Sequence, residues 1–349
     1  MADAESPSPA ARLMGLTLPG GWQVAARIER PPGATGSRFS VGYRVTDRSG
    51  QEAFLKALDY SSALTSPDPA RVLESLTRAY NFERDLLQRC SGFSRVVRVL
   101  ADGSIAAGPE PHEIVQYLIF EMAEADARTM RVVNDRFDLA WMLRAMHHAS
   151  SGLKQLHGAG VAHQDLKPSN LLVFGDRSSK VADLGCAAIR DGWAPRDGTP
   201  IAGDLGYAPP ELLYRYLPPD WNVRRLGCDL YLLGGLLVFF ILGMSVTALI
   251  QSRLDESHRW QQWSGRYQDV LPYVRAAHAT MLETVKEAVP ALLADDLTGI
   301  VRELCEPEVE LRGHPAERLG SRSPFSVERY VSRFDLLARR AELVLLRER

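Results

Sequence analysis

The chain has 349 residues, of which 46% are hydrophobic and 24% charged, and its formal net charge is −2 at pH 7. These values exclude a disordered chain and allow two domains that each bury a core. A nearly balanced charge also argues against a nucleic-acid partner, because the sequence shows no local basic patch. The cysteines are far apart and form no CxxC pair, which argues against zinc and disulfides and favours a reducing cytoplasm. They are Cys90, Cys186, Cys228 and Cys305.

The amino-terminal stretch MADAESPSPAARLMG is polar and rich in proline, serine and alanine. It has no charged region leading into an apolar core, so it does not have the pattern of a secretory signal. This composition is typical of frayed chain ends, and the sequence predicts a flexible tail over residues 1–20.

Residues 21–123 have the pattern of a small β-rich region. Stretches of β-branched and aromatic residues alternate with clusters of turn-forming residues. The sequence Pro67-Asp68-Pro69 indicates a helix start, and apolar spacing continues behind it. The region is therefore predicted to hold one helix, over 71–90, and strands over 22–29, 38–46, 52–60, 94–100 and 113–123.

A larger helical region follows from about residue 124. Apolar residues recur at spacings of three and four over 138–157, which predicts a helix. The octapeptide HQDLKPSN (163–170) comes next, and the segments NLLVF and KVADLG behind it predict a hairpin. Most of the remaining chain has helical spacing.

One apolar stretch, LYLLGGLLVFFILGMSVTALI (230–250), leaves two readings open. Its 21 residues carry no charge, and about 18 suffice for a candidate membrane span. A helix that is apolar on all sides can equally be the buried core helix of a water-soluble protein.

A few polar residues together provide the parts that phosphoryl transfer from ATP requires. Asp165 can be the carboxylate that aligns an attacking hydroxyl. Asn170 and Asp183 supply oxygen ligands of the kind that Mg²⁺ prefers. Lys56 lies on a predicted strand and can reach phosphates, while Glu83 on the following helix can hold it by an ion pair.

These residues lie in motifs that resemble those of eukaryotic-type protein kinases. HQDLKPSN is similar to the catalytic loop HRDLKPxN, DLG to the metal-binding DFG, and AFLK to the strand that carries the phosphate-binding lysine. The later motifs GDLGYAPPE, CDLYLLGG and CEPEVELRGHP resemble the end of the activation segment, the start of the central helix and the late arginine motif. The six landmarks occur in the family's order, and the resemblance extends from about residue 22 to residue 345.

The resemblance implies a role for each matched residue. Asp165 and Lys167 would be catalytic, and Asn170 and Asp183 would hold Mg²⁺ or Mn²⁺. The implied ATP-binding residues are Lys56, Gly33, Gly36, Glu121, Ala123 and Leu172. The implied structural supports are Glu83, favoured over Glu74 on the same helix, together with Asp229, Glu211 and Arg312, the last pairing with Glu211.

The resemblance also implies an α+β, bilobal protein-kinase-like fold. A small β-rich N-lobe would comprise residues 21–123 and a larger helical C-lobe residues 124–325, followed by a C-terminal helix over 326–349. In this fold the apolar stretch would be the buried central helix, so we expect no membrane span.

The expected activity is transfer of the γ-phosphoryl group of Mg·ATP to serine or threonine hydroxyls of a protein substrate in the cytoplasm. Lys167 favours serine and threonine, because tyrosine kinases of the family usually carry alanine at that position. The alternative is a nucleotide-binding pseudokinase that acts as an interaction scaffold. Retention of the whole polar set argues against it, since such groups are costly to keep without a metal or a phosphate.

The sequence departs from the family pattern at the catalytic loop. Gln164 replaces an arginine that in many relatives binds a phosphate on the activation segment. Segment 183–211 contains no serine, and its side-chain hydroxyls belong to Thr199 and Tyr207. We therefore expect a divergent kinase of the type that lacks this arginine (non-RD). The strong preference for arginine over lysine further indicates a GC-rich, bacterial-like origin.

Other departures concern the nucleotide site and the catalytic acid. Gly42 stands where a valine is usual, and Phe54 where a small alanine normally covers the adenine, which would narrow the pocket. Asp204 replaces a threonine near the catalytic residues. It would either form an ion pair with Lys167 or repel Asp165, and the sequence leaves both outcomes open.

Two further features each leave an alternative open. Cys186 would be a small buried filler or a redox-sensitive thiol. The apolar stripe of the C-terminal helix would pack on the large lobe or form the seam of a homodimer. Its members are Val327, Tyr330, Phe334, Leu337, Ala341 and Val344.

Overall fold

The computed structural model describes residues 8–29, 40–110, 113–133, 138–319 and 323–347. The chain divides into two compact units, Met1–Glu124 and Ala125–Arg349. The first unit is built on a β-sheet and the second is mainly helical, so the predicted α+β class is confirmed.

The first unit contains a five-stranded antiparallel sheet with the strand order β1-β2-β3-β5-β4. Its strands are β1 Gln23–Ile28, β2 Ser40–Thr46, β3 Glu52–Leu58, β4 Val99–Ala106 and β5 Ile114–Glu121. Alternate side chains of these strands bury one face of the sheet in an apolar core. Because Lys56 alternates with the buried Leu55 and Ala57, it lies on the opposite face.

Two helices of the first unit are α1 Ser61–Leu64 and α2 Pro69–Arg89. The side chain of Asp68 caps α2 by accepting a hydrogen bond from the backbone N–H of Arg71 at 3.2 Å. Pro69 follows at the first helical position, where its missing N–H costs nothing. The helix buries Phe82, Glu83 and its other inward residues on one face.

The strand predicted over 94–100 is misplaced, because the structure has β4 at Val99–Ala106. Val96 and Val97 are buried, but they precede the strand. The strand itself has the weak β-former sequence VLADGSIA. It lies at the sheet edge, where pairing with β5 rather than intrinsic preference determines its position.

The predicted flexible tail is wrong over residues 8–20, whereas residues 1–7 lie outside the described residues. Leu13 and Leu18 are buried in the sheet core. The hydroxyl of Tyr43 also donates a hydrogen bond to the carbonyl oxygen of Ala10 at 2.7 Å. The prediction was wrong because it relied on the polar composition of the segment as a whole. A few of its side chains are apolar and cover this face of the sheet.

The second unit has several short strands beside its helices. The strands are β6 Ala125–Asp126, β7 Val161–Ala162, β8 Leu171–Val173, β9 Ser179–Val181 and β10 Ala188–Ile189. The helices are α3 Ala127–Val133, α4 Leu139–Gly158, α5 Pro210–Leu213, α6 Gly227–Leu242, α7 Val246–Ser252, α8 Tyr267–Glu287, α9 Ala291–Leu304, α10 Pro315–Arg318 and α11 Glu328–Arg347. Strands β8 and β9 form the predicted hairpin.

The apolar stretch 230–250 is divided between two helices rather than forming one. Helix α6 ends at Leu242 with Gly243 as its C-cap, and the side chain of Ser245 caps α7 by accepting from the backbone N–H of Ala248. The helical stretch Asn222–Leu242 is long and apolar enough to cross a membrane, yet most of it is buried inside the second unit. Its apolar character on all sides is that of a core helix.

Helix α11 packs along α4. Arg144 of α4 forms an ion pair with Asp335 at 2.7 Å, and Nδ1 of His147 lies 3.0 Å from the carbonyl oxygen of Val331. The apolar stripe predicted from the sequence is buried within this chain at Val327, Tyr330, Phe334, Leu337 and Ala341. The packing alternative therefore accounts for these residues, while the side chain of Val344 lies outside the described set.

A buried ion pair joins α5 to the loop before α10. Nη1 and Nη2 of Arg312 each lie 2.8 Å from a carboxylate oxygen of Glu211. Arg312 also donates to the carbonyl oxygens of Gly227 at 2.9 Å and Glu306 at 3.0 Å. Its guanidinium lies over the ring of Tyr231, with 5.1 Å to the ring centroid. These contacts satisfy a charge that has no access to water.

We predict that Arg312→Ala lowers the free energy of unfolding by about 3–5 kcal/mol, because it leaves the Glu211 carboxylate buried without its partner. Thermal and urea unfolding would measure the loss. Arg339→Ala is the matched control, since that arginine pairs with Asp335 on an exposed helix surface and should change stability by less than about 1 kcal/mol. Equal melting temperatures for wild type and Arg312→Ala would contradict the prediction.

Candidate active site

The loop 163–170 is fixed by one buried carboxylate of α6. Asp229 accepts hydrogen bonds from the backbone N–H groups of His163 at 2.7 Å and Gln164 at 2.8 Å. Nε2 of His157 lies 2.8 Å from Asp229 Oδ2, the oxygen that also accepts from the His163 backbone. Burial alone would raise the pKa of Asp229, but the hydrogen bond and charge of His157, the charge of His163 and the hydrogen bond from the Gln164 backbone together outweigh burial and lower the pKa. Asp229 therefore stays ionised and holds the loop backbone.

Asp165 is the centre of a compact polar group in this loop. Its Oδ2 lies 3.0 Å from Lys167 Nζ and accepts from the Asn170 amide, also at 3.0 Å. Its Oδ1 accepts from the backbone N–H of Asp204 at 2.8 Å. Lys167 Nζ also lies 3.3 Å from Asp204 Oδ2. The alternative left open by the sequence is thus decided, because Asp204 forms an ion pair with Lys167 and its amide supports Asp165.

The electrostatics of this group favour proton acceptance by Asp165. Burial raises the pKa of Asp165, and the charge of Asp183 adds to the effect, while Lys167 opposes it. A carboxylate with a raised pKa is the stronger base once it is ionised. For Lys167, burial lowers the pKa, but the carboxylates of Asp165 and Asp204 outweigh burial and raise it. Lys167 therefore remains a cation beside Asp165.

Asn170 and Asp183 form a donor set that fits a hard divalent cation. The side-chain amide nitrogen of Asn170 donates to Asp165. The side-chain oxygen Oδ1 of Asn170 is therefore the atom able to ligate a metal. Asp183 follows β9. The backbone N–H of the preceding residue, Ala182, donates to the backbone carbonyl oxygen of Asn170 at 2.9 Å, which ties the two ligand positions together. Oxygen donors of this kind suit Mg²⁺ or Mn²⁺. Among the described residues, no cluster of three or more His, Cys, Asp or Glu forms a different metal site.

The backbone is strained at two points of this site. Gln164 has a φ of 67° and Asp183 a φ of 64°, in the left-handed region that residues with a Cβ rarely adopt. Such strain costs of order 1–3 kcal/mol per residue and persists only where surrounding contacts enforce it. For Gln164 the enforcing contact is Asp229, which binds its backbone N–H.

In the first unit, Lys56 of β3 pairs with Glu83 of α2. Lys56 Nζ lies 2.8 Å from one carboxylate oxygen of Glu83 and 2.9 Å from the other. Glu74, the alternative on the same helix, instead lies 3.7 Å from Arg78 at an exposed position. The pair holds the ammonium group of Lys56 on the sheet face opposite the apolar core.

Phe54 fills the space above Gly42 on the same sheet face as Lys56. A Cβ placed on Gly42 would lie 3.0 Å from Cε2 of Phe54, closer than an ordinary contact. Phe54 pairs directly with Phe120 across β3 and β5, with 6.4 Å between ring centroids. The large side chain of Phe54 therefore fits because Gly42 has no side chain. This match in volume cannot be seen from either position alone.

The other residues predicted to bind ATP are placed as follows. Gly33 and Gly36 lie outside the described residues. Glu121 ends β5, and its side chain accepts from the backbone N–H of Arg98 at 2.8 Å. Ala123 follows β5 outside regular structure. Leu172 is half-buried in β8, on the face opposite its neighbours Leu171 and Val173.

Comparison with known proteins gives the family. Residues 37–319 match the model of the protein kinase domain, which is well over half of the chain. The chain belongs to the protein kinase family. The fold and the six landmark motifs agree with this assignment, whereas the predicted bacterial-like, non-RD subtype stays a prediction.

Individual relatives of this protein kinase match over shorter stretches. The chain is 33% identical over 150 residues to the hormonally up-regulated neu tumor-associated kinase of Mus musculus, covering 40% of this chain and 20% of that protein. It is 35% identical over 116 residues to the stress-activated protein kinase JNK of Suberites domuncula, covering 32% of this chain and 30% of that protein. The chain thus spans less than a third of these relatives.

Arg225 is one of the buried charged residues that sequence reasoning missed. It lies in a π-helical turn, Asn222–Leu226, that precedes α6, and it is only 4% exposed. The side chain of Gln164 donates to its carbonyl oxygen at 2.8 Å. Its position four residues before Asp229 was a usable signal, because that spacing places two helical side chains on one face.

Cys186 has the character of a filler rather than of a reactive thiol. It is partly buried, and burial raises the pKa of its thiol to about 12, with the charges of Asp165 and Asp183 adding to the effect. The thiolate is the reactive form, so a thiol of this kind reacts slowly at neutral pH.

We predict that iodoacetamide labels Cys186 in the folded, metal-free protein at pH 8 at least about 10-fold more slowly than it labels an ordinary thiol, whose pKa is about 8.5. Mass spectrometry of the peptide containing Cys186 would give the rate. The same peptide in urea is the control and should label at the ordinary rate. Labelling of the folded chain as fast as that control would show that Cys186 is reactive.

Proposed function

We propose that this protein is a serine/threonine protein kinase that transfers the γ-phosphoryl group of ATP to a protein substrate. The observation that carries the proposal is the arrangement around Asp165. A buried carboxylate is oriented by Asn170 and by the amide of Asp204, with a lysine cation 3.0 Å away. This arrangement provides the base and the positive charge that phosphoryl transfer to a hydroxyl requires.

Each residue has a chemical task in this proposal. Asp165 takes the proton of the substrate hydroxyl. At the same time the hydroxyl oxygen of the substrate bonds to the γ-phosphorus, and ADP leaves. Lys167 remains charged beside Asp165 and stabilises the negative charge that develops on the transferred group. Asn170 and Asp183 would hold Mg²⁺ or Mn²⁺, which neutralises phosphate charge when bound. Lys56, held by Glu83, would bind the phosphates of ATP.

The identity of residue 167 supports serine and threonine as acceptors. Lys167 is held between Asp165 and Asp204 at 3.0 and 3.3 Å, so its ammonium group is positioned beside the catalytic acid. Tyrosine kinases of the family usually carry an alanine at the corresponding position. The two curated relatives above are both named as kinases.

A nucleotide-binding scaffold is the second candidate, and one observation favours it. Phe54 occupies the sheet face beside Lys56, where the family usually has an alanine. If this ring shifted bound adenine away from the position that transfer requires, the chain would bind nucleotide and partners without turning over ATP. Radiolabel transfer from ATP to myelin basic protein separates the two candidates, because only the kinase gives incorporation above that of Asp165→Asn.

We predict that Asp165→Asn lowers phosphoryl transfer by at least about 100-fold and leaves Mg·ATP binding nearly unchanged, because it removes the base but retains a polar side chain of the same size. Asp183→Asn should in addition abolish the Mg²⁺-dependent thermal shift that ATP produces. Asp176→Asn, in the exposed turn between β8 and β9, is the matched control and should keep wild-type activity. Wild-type turnover in Asp165→Asn would refute the assignment of the base.

We further propose that the protein acts in the cytoplasm, without a membrane or nucleic-acid partner. The support is the burial of the apolar helix α6 inside the second unit, where Leu237 is fully buried. The sequence charge of −2 adds nothing that would attract a polyanion.

We predict that the wild-type chain is recovered in the supernatant after carbonate extraction of lysed cells. Leu237→Arg should abolish folding, because it buries an unpaired charge in the core. It should therefore accumulate as aggregate, whereas Leu336→Arg, on the exposed side of α11, should stay soluble. A wild-type chain that remains in the carbonate-resistant membrane pellet would overturn the proposal.

A further inference from the structure

The segment 183–211 is held in the structure by a charge that the family motif does not supply. Many protein kinases order this segment through a phosphate bound by the loop arginine, a position that is Gln164 here. In this chain the side chain of Gln164 is buried, and its Nε2 donates to Asp229 Oδ1 at 2.9 Å and to the carbonyl oxygen of Arg225 at 2.8 Å. Gln164 therefore supports the loop and provides no positive charge to the segment.

The guanidinium of Arg225 connects the loop with the segment. Its Nη1 lies 3.3 Å from Gln164 Oε1. Its Nη2 lies 3.3 Å from Asp197 Oδ1 and 3.4 Å from the carbonyl oxygen of Asp197. The side chain of Arg225 is 5% exposed and that of Asp197 is 39% exposed, so water reaches the carboxylate but hardly reaches the cation.

Asp197 also binds the backbone of its own segment. Its Oδ1 accepts from Arg225, and its Oδ2 accepts from the backbone N–H of Ala194 at 2.8 Å. One carboxylate therefore binds a cation and a main-chain donor at once, as a phosphate group in this segment would. Asp197 is part of the chain, so no modification is required to create the charge.

The position of this segment matters for the catalytic acid. Gly203 passes so close to the loop that a Cβ there would lie 2.4 Å from the carbonyl oxygen of Gln164 and 2.6 Å from Asp165 Oδ1. The next residue, Asp204, donates its backbone N–H to Asp165 and accepts from Lys167. Displacement of the segment would therefore remove two of the contacts that orient Asp165 and Lys167.

We propose that Arg225 and Asp197 form a built-in clamp that positions segment 183–211 for catalysis without phosphorylation. The clamp takes over the task of the missing loop arginine, with the cation moved from position 164 to position 225 and the anion supplied by Asp197. Both are positioning residues, since they act on Asp165 through Gln164 and Asp204. The proposal rests on the proposed kinase function for its effect on rate, and on the geometry alone for its effect on the segment.

Thr199 provides the contrast between this clamp and a phosphate switch. Its hydroxyl donates to the carbonyl oxygen of Arg196 at 2.7 Å, and its own carbonyl oxygen accepts from Arg224 at 3.2 Å. If the clamp already orders the segment, a phosphate on Thr199 adds little. Thr199→Ala should then keep more than about half of the wild-type activity, and phosphatase treatment should change the rate by less than about twofold.

A double-mutant cycle on the full chain tests the clamp directly. Arg225→Gln and Asp197→Asn should each lower kcat/KM for a peptide substrate by roughly 10- to 100-fold, the factor that a hydrogen bond to a charged group is worth. The double variant should be no worse than the poorer single variant, because both changes remove the same interaction. Arg224→Gln is the matched control, since it removes a neighbouring guanidinium that reaches the segment only at a carbonyl oxygen.

Limited trypsin digestion provides a readout that does not depend on activity. Cleavage after Arg190 and Arg196 reports exposure of the segment and can be mapped by mass spectrometry. Arg225→Gln should accelerate both cuts about 10-fold, and Asp197→Asn should accelerate the cut after Arg190 by a similar factor, whereas the cleavage of sites outside the segment should change little. Arg224→Gln should leave the rates within about twofold of wild type.

The outcomes separate the clamp from the kinase proposal. If wild type shows no phosphoryl transfer but the two variants open the segment together, the clamp stands and the kinase function is wrong. If the rate losses of Arg225→Gln and Asp197→Asn multiply in the double variant, or neither exposes the segment, the clamp is refuted. Strong inactivation by phosphatase that Thr199→Ala reproduces would show that a phosphate positions the segment instead.

Discussion

The candidate site depends on the placement of one ionised carboxylate, Asp229, at the start of the most apolar helix of the chain. Helix α6 is buried on all sides, so its position is set by packing against its neighbours. Asp229 transfers that rigidity to the loop, because it binds the backbone of His163 and Gln164 directly. Asp229 also holds Gln164 at a strained φ of 67°. The next residue, Asp165, is thereby placed beside Lys167, Asn170 and Asp204.

Buried charges are costly, and the second unit provides partners for three of those near α6, Asp229, Arg312 and Arg225. Asp229 has donors from the loop and from His157, and Arg312 has both oxygens of Glu211 together with main-chain carbonyls. Arg225 meets a carboxylate and an amide oxygen. Removal of one partner would leave the other charge in a poorly hydrated interior, which makes the network more valuable for a unique geometry than for net stability.

Several departures from the family pattern become consistent when they are taken in pairs. Gln164 lacks the charge of an arginine, and Arg225 supplies a cation at its side-chain oxygen. Gly42 lacks a side chain, and Phe54 fills the space. These exchanges keep charge or volume in place while changing the residue that provides it, as expected where packing and electrostatics constrain a region more strongly than single positions do.

The sequence by itself determined the features that depend on local spacing: the strands of the first unit except β4, the long helices, and the identity of Asp165, Lys167 and Asn170 in one octapeptide. Only the tertiary structure decided that the apolar stretch is divided between the buried helices α6 and α7, that residues 8–20 pack on a sheet and that Arg225 pairs with Asp197. The reason is physical. Periodicity reports which face of a helix or strand is apolar, but burial and ion pairing depend on segments that are distant in the chain and are brought together only by the fold.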